Sequence, residues 1–213
     1  MAVNQEVKSV LREFRGLKFN SDDHSLVGII EIEENDSYDL KISLCSYPRS
    51  FPEVWETSER IPRELHRHTY SDTGSLCFTT AAKAQILLKT KIKSLRSFLK
   101  EILVPYLKNN SFYELNGYYS FDEYSHNGFG VIEGYQDIFG IRNPSIIEEL
   151  IVERYSDIER QNSSPCYCGS GKSLMTCSSG LHYRSYRRFL LIEKNVLYYD
   201  LVNTFFSLKR KHG

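Results

Sequence analysis

Between Tyr38 and Leu44 the chain alternates apolar and polar side chains without a break, and Pro48 and Pro52 follow close behind. A period of two buries one face of a β-strand and leaves the other wet, whereas proline has no amide proton to continue a hydrogen-bonded ladder. This stretch therefore predicts a one-sided antiparallel strand that gives way to a stiffened crossing. Leu26–Glu33 reads as its neighbour, joined through Glu34-Asn35-Asp36-Ser37, and Val54–Thr57 fits a further strand between Pro52 and Pro62. Upstream, Val3, Val7, Val10, Leu11, Phe14 and Leu17 recur at helical spacing among Glu6, Lys8, Arg12 and Glu13, which predicts an amphipathic helix over 3–17. A helix followed by an antiparallel meander places the chain in the α+β class.

The crossing leads into Arg63–Ser75, an irregular polar stretch of the kind that carries function on a surface loop. A helix is expected beyond it, with Ile86, Ile92, Leu95, Phe98, Leu99, Ile102, Leu103 and Leu107 on one face. Lys83, Lys89, Lys91, Lys93, Arg96 and Lys100 lie opposite, read as a solvated face with a docking surface for an acidic partner as the lesser alternative. Pro105 is expected to kink this helix or mark its last turns. In Asp122–Gly130, Gly128 and Gly130 flank Phe129 and predict a tight turn that fixes His126. Helices over about 145–160 and 187–208 complete the pattern, with Gln161–Pro165 as a short linker. Cys45, at the end of the alternating strand, is expected in the core.

Lys and Arg together number 27 and so do Asp and Glu, so no net field favours nucleic acid or an anionic membrane. No apolar run approaches the length of a membrane span, and no signal-peptide core opens the chain, so a cytoplasmic location is expected. The cysteines number 5, an odd count, with three close together near the C-terminus. That clustering suits metal binding or catalysis in a reducing compartment better than a disulfide frame.

The clustered stretch reads Pro165-Cys166-Tyr167-Cys168-Gly169-Ser170-Gly171-Lys172-Ser173-Leu174-Met175-Thr176-Cys177, with His182 beyond it. Thiolate and imidazole are the preferred ligands of tetrahedral zinc, and a closed set of four, Cys166, Cys168, Cys177 and His182, makes a structural site. A phosphate-binding loop is excluded, because Gly-Ser-Gly-Lys-Ser lacks the required glycine spacing and has no strand before it. The segment resembles the SEC-C motif, a zinc-binding module of the form Cys-x-Cys-Gly-Ser-Gly-Lys with two further Cys or His ligands. In that motif the last two ligands are usually adjacent, whereas here Ser178 follows Cys177. The resemblance implies a small docking unit for a partner.

Cys77 stands behind Gly74-Ser75-Leu76, with His66 and His68 before it and His126 after it. A nucleophilic cysteine needs exposure and neighbours that favour the thiolate, such as histidines, a helix start or backbone amides. The order of helix, strands, Tyr47-Pro48, Phe51-Pro52, His66/His68 and Gly-x-Leu-Cys77 resembles the ubiquitin-conjugating enzymes over residues 1 to about 142. The resemblance implies an N-terminal helix, a four-strand antiparallel meander and C-terminal helices. It also implies a catalytic domain over 1–160 and a zinc module with the closing helix over 161–213. Cys77 would carry the C-terminal acyl group of a ubiquitin-like or other protein tail as a thioester, received from an activating enzyme, and pass it to an amine on a target protein. Ser125–Gly130 resembles a His-Gly element of bacterial members, several encoded in antiphage operons, which implies a defence role and a target such as a nucleotidyltransferase. Eukaryotic members carry His-Pro-Asn before the cysteine; His66-Arg67-His68 has no Asn, so His68, Tyr70 or backbone amides would stabilise the oxyanion, with His126 taking the amine's proton. A Cys77/His126 hydrolase and a non-catalytic binding module that keeps the fold are the alternatives.

Overall fold

A computed structural model of the chain describes residues 2–121 and 124–205. The chain forms two compact units, one of Met1–Phe78 with Leu88–Glu123, the other of Thr79–Leu87 with Tyr124–Gly213. The side chain of Val3, the pair Asp122-Glu123 and residues 206–208 of the expected closing helix lie outside the described residues.

In the first unit, helix α1 (Ala2–Glu13) precedes strands β1 (Leu17–Asn20), β2 (Ser25–Glu33), β3 (Asp36–Ser43) and β4 (Glu53–Glu56). The strands pair in chain order as an antiparallel meander, so the expected α+β class and four-strand sheet are present. Register explains the alternation: Leu26 faces Ile42, Gly28 faces Leu40 and Ile30 faces Tyr38, and all but the glycine bury their side chains on one face. Each such side chain contributes about 2 kcal/mol by leaving water.

Three expectations are corrected. Leu17 is not in α1, which stops at Glu13; it opens β1 opposite Gly28. A side chain could not take the place of Gly28, because its φ is 135° and a Cβ there would lie 2.2 Å from the Gly16 carbonyl oxygen. Cys45 is exposed, not core, because the alternation that buries Leu40, Ile42 and Leu44 turns the next residue outward. The expected lysine-faced helix is broken: α2 (Ala81–Thr90) ends before Ser94, which caps α3 (Leu95–Phe98) by exchanging hydrogen bonds with Ser97. A π-helical turn, Leu99–Leu103, leads into α4 (Val104–Asn116). Helical backbone runs on from Phe98 through this turn into α4, so Pro105, which has no amide proton to give a preceding carbonyl, falls directly after the π-helical irregularity, and regular helix then continues to Gly117. Along this face Lys91 pairs with Glu101 at 2.8 Å and Lys100 with Glu13 at 2.9 Å.

The second unit packs α5 (Gly128–Phe139), α6 (Pro144–Tyr155), α7 (Leu181–Phe189) and α8 (Lys194–Asp200), with a π-helical turn Leu201–Phe205 after α8. Gly128–Gly130 is not a separate tight turn but the first turn of α5. Asn143 caps α6 through its side-chain oxygen, and the single helix expected over 187–208 is divided between α7 and α8. One apolar core joins Tyr135, Phe139, Ile147 and Leu150 of α5 and α6 to Tyr167, Leu174, Phe189 and Leu197 of the later segments. The compact units are thus drawn differently from a division at residue 160, because that boundary would cut this core in two. Among the described residues no helix is long and apolar enough to cross a membrane.

Candidate thiol site and metal centre

Cys77 lies half-buried in the first unit, on the returning arm of a small hairpin. The Cys77 amide donates to the His68 carbonyl at 2.7 Å, Tyr70 donates to Ser75 at 2.8 Å, and Gly74 closes the turn onto Tyr70 at 2.7 Å. The outer edge is tied to β4: the Leu76 amide donates to the Val54 carbonyl at 2.7 Å, and the Trp55 indole to the Thr73 carbonyl at 3.1 Å. Leu76 is buried, and Phe78 packs edge-on against Phe98 and Tyr106. The thiol is therefore presented between two anchored neighbours on a backbone whose polar groups are largely spoken for.

The structure brings His68 beside Cys77 through the backbone. His68 is buried, adopts the left-handed conformation (φ 52°, ψ 49°), and sets its ring edge-on to Tyr119 at 5.4 Å. His66 points outward, 57% exposed along its side chain, and meets the equally exposed Glu64 at 3.2 Å. Tyr70 is exposed at the hairpin. His126 belongs to the second unit, half-buried in the loop before α5. That loop is fastened to its own helix, since Ser125 donates through its amide and hydroxyl to both oxygens of Glu133, at 2.6 and 2.7 Å, and Tyr124 bonds to Asp137.

A polar scaffold behind the hairpin had no sequence signal beyond its composition. Arg67, only 7% exposed, donates to Asn110 Oδ1 at 3.1 and 3.3 Å, approaches Glu114 at 3.4 Å, and lies over the Tyr113 ring at 4.8 Å. Arg60 meets the same Glu114 at 2.8 Å and Asp36 at 2.7 Å, with its guanidinium 4.0 Å above the Tyr38 ring. Burial pushes the Tyr38 hydroxyl far above its usual range, and the hydroxyl shares a 2.8 Å hydrogen bond with Ser111 Oγ, with the Leu107 carbonyl and Glu114 farther off at 3.3 and 3.4 Å. No periodicity marks these residues, because what recruits them is the approach of α4 to the loop, a tertiary event.

In the second unit the structure brings together all four expected metal ligands. Cys166, Cys168, Cys177 and His182 place their donor atoms within 4.8 Å of one another. Cys168 and Cys177 sulfurs are 3.5 Å apart, and Cys166 Sγ is 3.2 Å from His182 Nδ1. Metal–sulfur bonds of about 2.3 Å in a tetrahedron put sulfurs about 3.8 Å apart, so three thiols and one imidazole at this spacing can hold a metal ion. The Cys166 amide donates to the Lys172 carbonyl at 2.8 Å, and Gly169 and Gly171 take positive φ between them, which folds the first two cysteines into a tight knuckle. The gap between Cys177 and His182 is closed by a left-handed run: Ser178, Ser179 and Gly180 have φ of 49°, 54° and 78°, after which α7 begins and carries His182 in its first turn. A non-glycine residue pays roughly 1–2 kcal/mol for that conformation, and here two adjacent serines adopt it to complete the ligand set. Burial pushes the Cys166 thiol up to about 12, whereas hydrogen bonding from the Ser170 side chain draws Cys168 down to about 6. A dication among them would favour the thiolate at all three.

Comparison with family models, with curated proteins and with solved structures returns no match.

Proposed function

We propose that the chain is an acyl carrier of the ubiquitin-conjugating kind: Cys77 accepts the C-terminal acyl group of a ubiquitin-like or other protein tail and delivers it to an amine of a target protein. The observation that carries this reading is the presentation of Cys77, half-buried on an anchored hairpin, with its amide on the His68 carbonyl. A four-strand antiparallel meander behind one helix is the scaffold that the resemblance implied, and it supports a ubiquitin-conjugating-like fold.

In the first step the Cys77 thiolate attacks the tail's carbonyl carbon on the activating enzyme, a new C–S bond forms, and the activating enzyme's thiolate leaves. In the second, the target amine attacks that carbonyl, the C–S bond breaks, Cys77 departs as thiolate, and the amine gives up a proton. Thioesters are already activated, so the site needs little more than placement and a donor toward the oxyanion. His68, beside the thiol in backbone terms, is the group assigned to that donation, since the amides of Tyr70, Gly74, Leu76 and Cys77 already donate to backbone carbonyls. The role of proton acceptor for His126 rests on the resemblance alone, and His126→Gln tests it by slowing discharge with loading intact.

The cysteine–histidine cluster is assigned structural zinc. Cys166, Cys168, Cys177 and His182 would hold it, and the closed ligand set would fix the knuckle and the start of α7 as a docking module of the SEC-C kind. A role in antiphage defence, with a nucleotidyltransferase as target, follows by analogy with the bacterial proteins that the chain resembles.

The test is to incubate the protein with an activating enzyme and tail protein encoded beside it. A thiol-sensitive adduct that disappears in Cys77→Ala is expected. An adduct that survives that substitution would sink the carrier assignment.

A further inference from the structure

We infer that Arg67 is the positioning residue of the thiol site, holding His68 and, through it, Cys77 in the presenting geometry. This deepens the acyl-carrier reading and rests on it for its catalytic meaning, though not for its geometry.

Arginine is seldom buried without a reason, since its guanidinium must satisfy a fixed fork of donors. Arg67 is 7% exposed and meets three partners on α4: Asn110, whose side-chain oxygen accepts from both Nε and Nη2, the Glu114 carboxylate, and the face of Tyr113. Asn110 is itself fixed, because its amide nitrogen donates to the Tyr106 carbonyl at 3.2 Å. The side chain thus clamps the hairpin loop onto α4 at the residue immediately before His68. His68 then turns into the left-handed region, which a non-glycine residue adopts only when its surroundings enforce it. Its carbonyl accepts two donors at once, the Cys77 amide at 2.7 Å and the Tyr106 hydroxyl at 3.0 Å, and the same hydroxyl reaches the Arg67 carbonyl at 3.0 Å. The chain of contacts is short: α4 to Arg67 side chain, Arg67 backbone to His68, His68 carbonyl to Cys77. Arg67 touches neither tail nor target in this scheme; it acts through the residue beside it.

Lysine would keep a positive charge near Glu114 but has no planar fork for Asn110 and no flat face for Tyr113. Arg67→Lys should therefore restore only part of what Arg67→Ala removes. Tyr106→Phe removes the hydroxyl from the shared carbonyls and leaves the ring in place, so it reports on the same linkage if Arg67→Ala fails to fold.

The experiment uses the full-length, zinc-loaded protein carrying Cys45→Ser. Its first arm follows alkylation of Cys77 by iodoacetamide between pH 6 and 9, read by peptide mass. A loosened hairpin exposes the thiol, and loss of a buried charged hydrogen bond is large enough to raise the rate by about tenfold. Alkylation of Cys166, Cys168 and Cys177, in the other unit, should stay unchanged, which separates loosening of the site from general unfolding. The second arm loads Cys77 with a short peptide thioester ending in glycine and measures transfer of the acyl group to free lysine. Arg67→Ala and Tyr106→Phe should slow transfer several-fold while Cys77 still accepts the acyl group, with Arg67→Lys intermediate. Folded Arg67→Ala protein with unchanged alkylation and unchanged transfer overturns the inference. If the unsubstituted protein takes no acyl group, the carrier reading falls, and the alkylation arm still decides whether Arg67 positions Cys77.

Discussion

Asp200 offers a test of the second unit's core that does not depend on the function. It is 4% exposed, at the end of α8, with its carboxylate accepting a 2.8 Å hydrogen bond from Tyr135, which is itself fully buried among Phe139, Phe189 and Phe205. Burial raises its carboxyl from 3.8 to about 6, with the Tyr135 hydrogen bond opposing the rise only in part. Because the folded value lies above the unfolded one, the neutral acid is the form the fold prefers. The penalty is absent well below pH 4, grows as pH climbs from about 4 to 6, and is complete by about pH 7, where it amounts to about 3 kcal/mol. Asp200→Asn keeps an oxygen for Tyr135 and never ionises. Metal-loaded variant and parent should therefore differ by about 1 kcal/mol in stability at pH 4.5 and by about 3 kcal/mol at pH 7.5, the variant being the more stable. Hydrogen exchange at α5 and α8 amides, corrected for intrinsic rates, reads this locally, and urea unfolding reads it for the unit. Comparing the two proteins at each pH cancels the loss of metal from protonated thiols. A stability difference that stays flat across this range would refute the raised carboxyl of a buried Asp200.

Other outcomes are expected from single substitutions. Cys166→Ser should lower metal content and expose the start of α7 to proteolysis, whereas Cys45→Ser should retain the parent's metal content by elemental analysis, since Cys45 is exposed and outside the cluster. Gly28→Ala should cost about 3 kcal/mol or more in denaturant unfolding of the sheet, because the new Cβ meets the Gly16 carbonyl oxygen at 2.2 Å and φ is 135°. Arg60→Ala should destabilise the first unit by about 2 kcal/mol, measured by thermal unfolding, because it strips Asp36 and Glu114 of one shared cation and uncovers the Tyr38 ring.

What could be read from the residues alone follows from the range of the interactions concerned. The alternation of Tyr38–Leu44 reports burial on one face, and the sheet bears it out in the register of β2 against β3. The cysteine spacing around Gly169 and Gly171 is a local turn, and the four ligands do converge. By contrast β1 is short and merges with the apolar spacing of α1, so Leu17 continues the helical pattern until Gly28, a partner far along the chain, claims it. The break before Ser94 was hidden because the apolar stripe carries on across it, though Ser94 and Ser97 hold the capping positions. Arg67, Asn110 and Glu114 gave no warning, since a polar residue announces itself as core only when its partners are known. Ser178 and Ser179 were equally silent, being poor candidates for the left-handed run that brings His182 to the cluster.

The second unit takes its first segment, Thr79–Leu87, from the middle of the chain, and the first unit is completed only by Leu88–Glu123. On a ribosome this imposes an order. Ala82 and Ile86, which belong to the core around Tyr135 and Phe139, are made before any of their neighbours in that core, and they must stay unsatisfied while the rest of the first unit is synthesised and closes. Cys166, Cys168, Cys177 and His182 emerge after residue 123, so a metal could be captured only once the first unit has been made, and a chain stalled or cut near residue 160 would leave Tyr135, Phe139 and Leu150 without the residues that cover them. The thiol-bearing half can thus mature before the half with the clustered ligands exists, whereas the converse is closed to this chain.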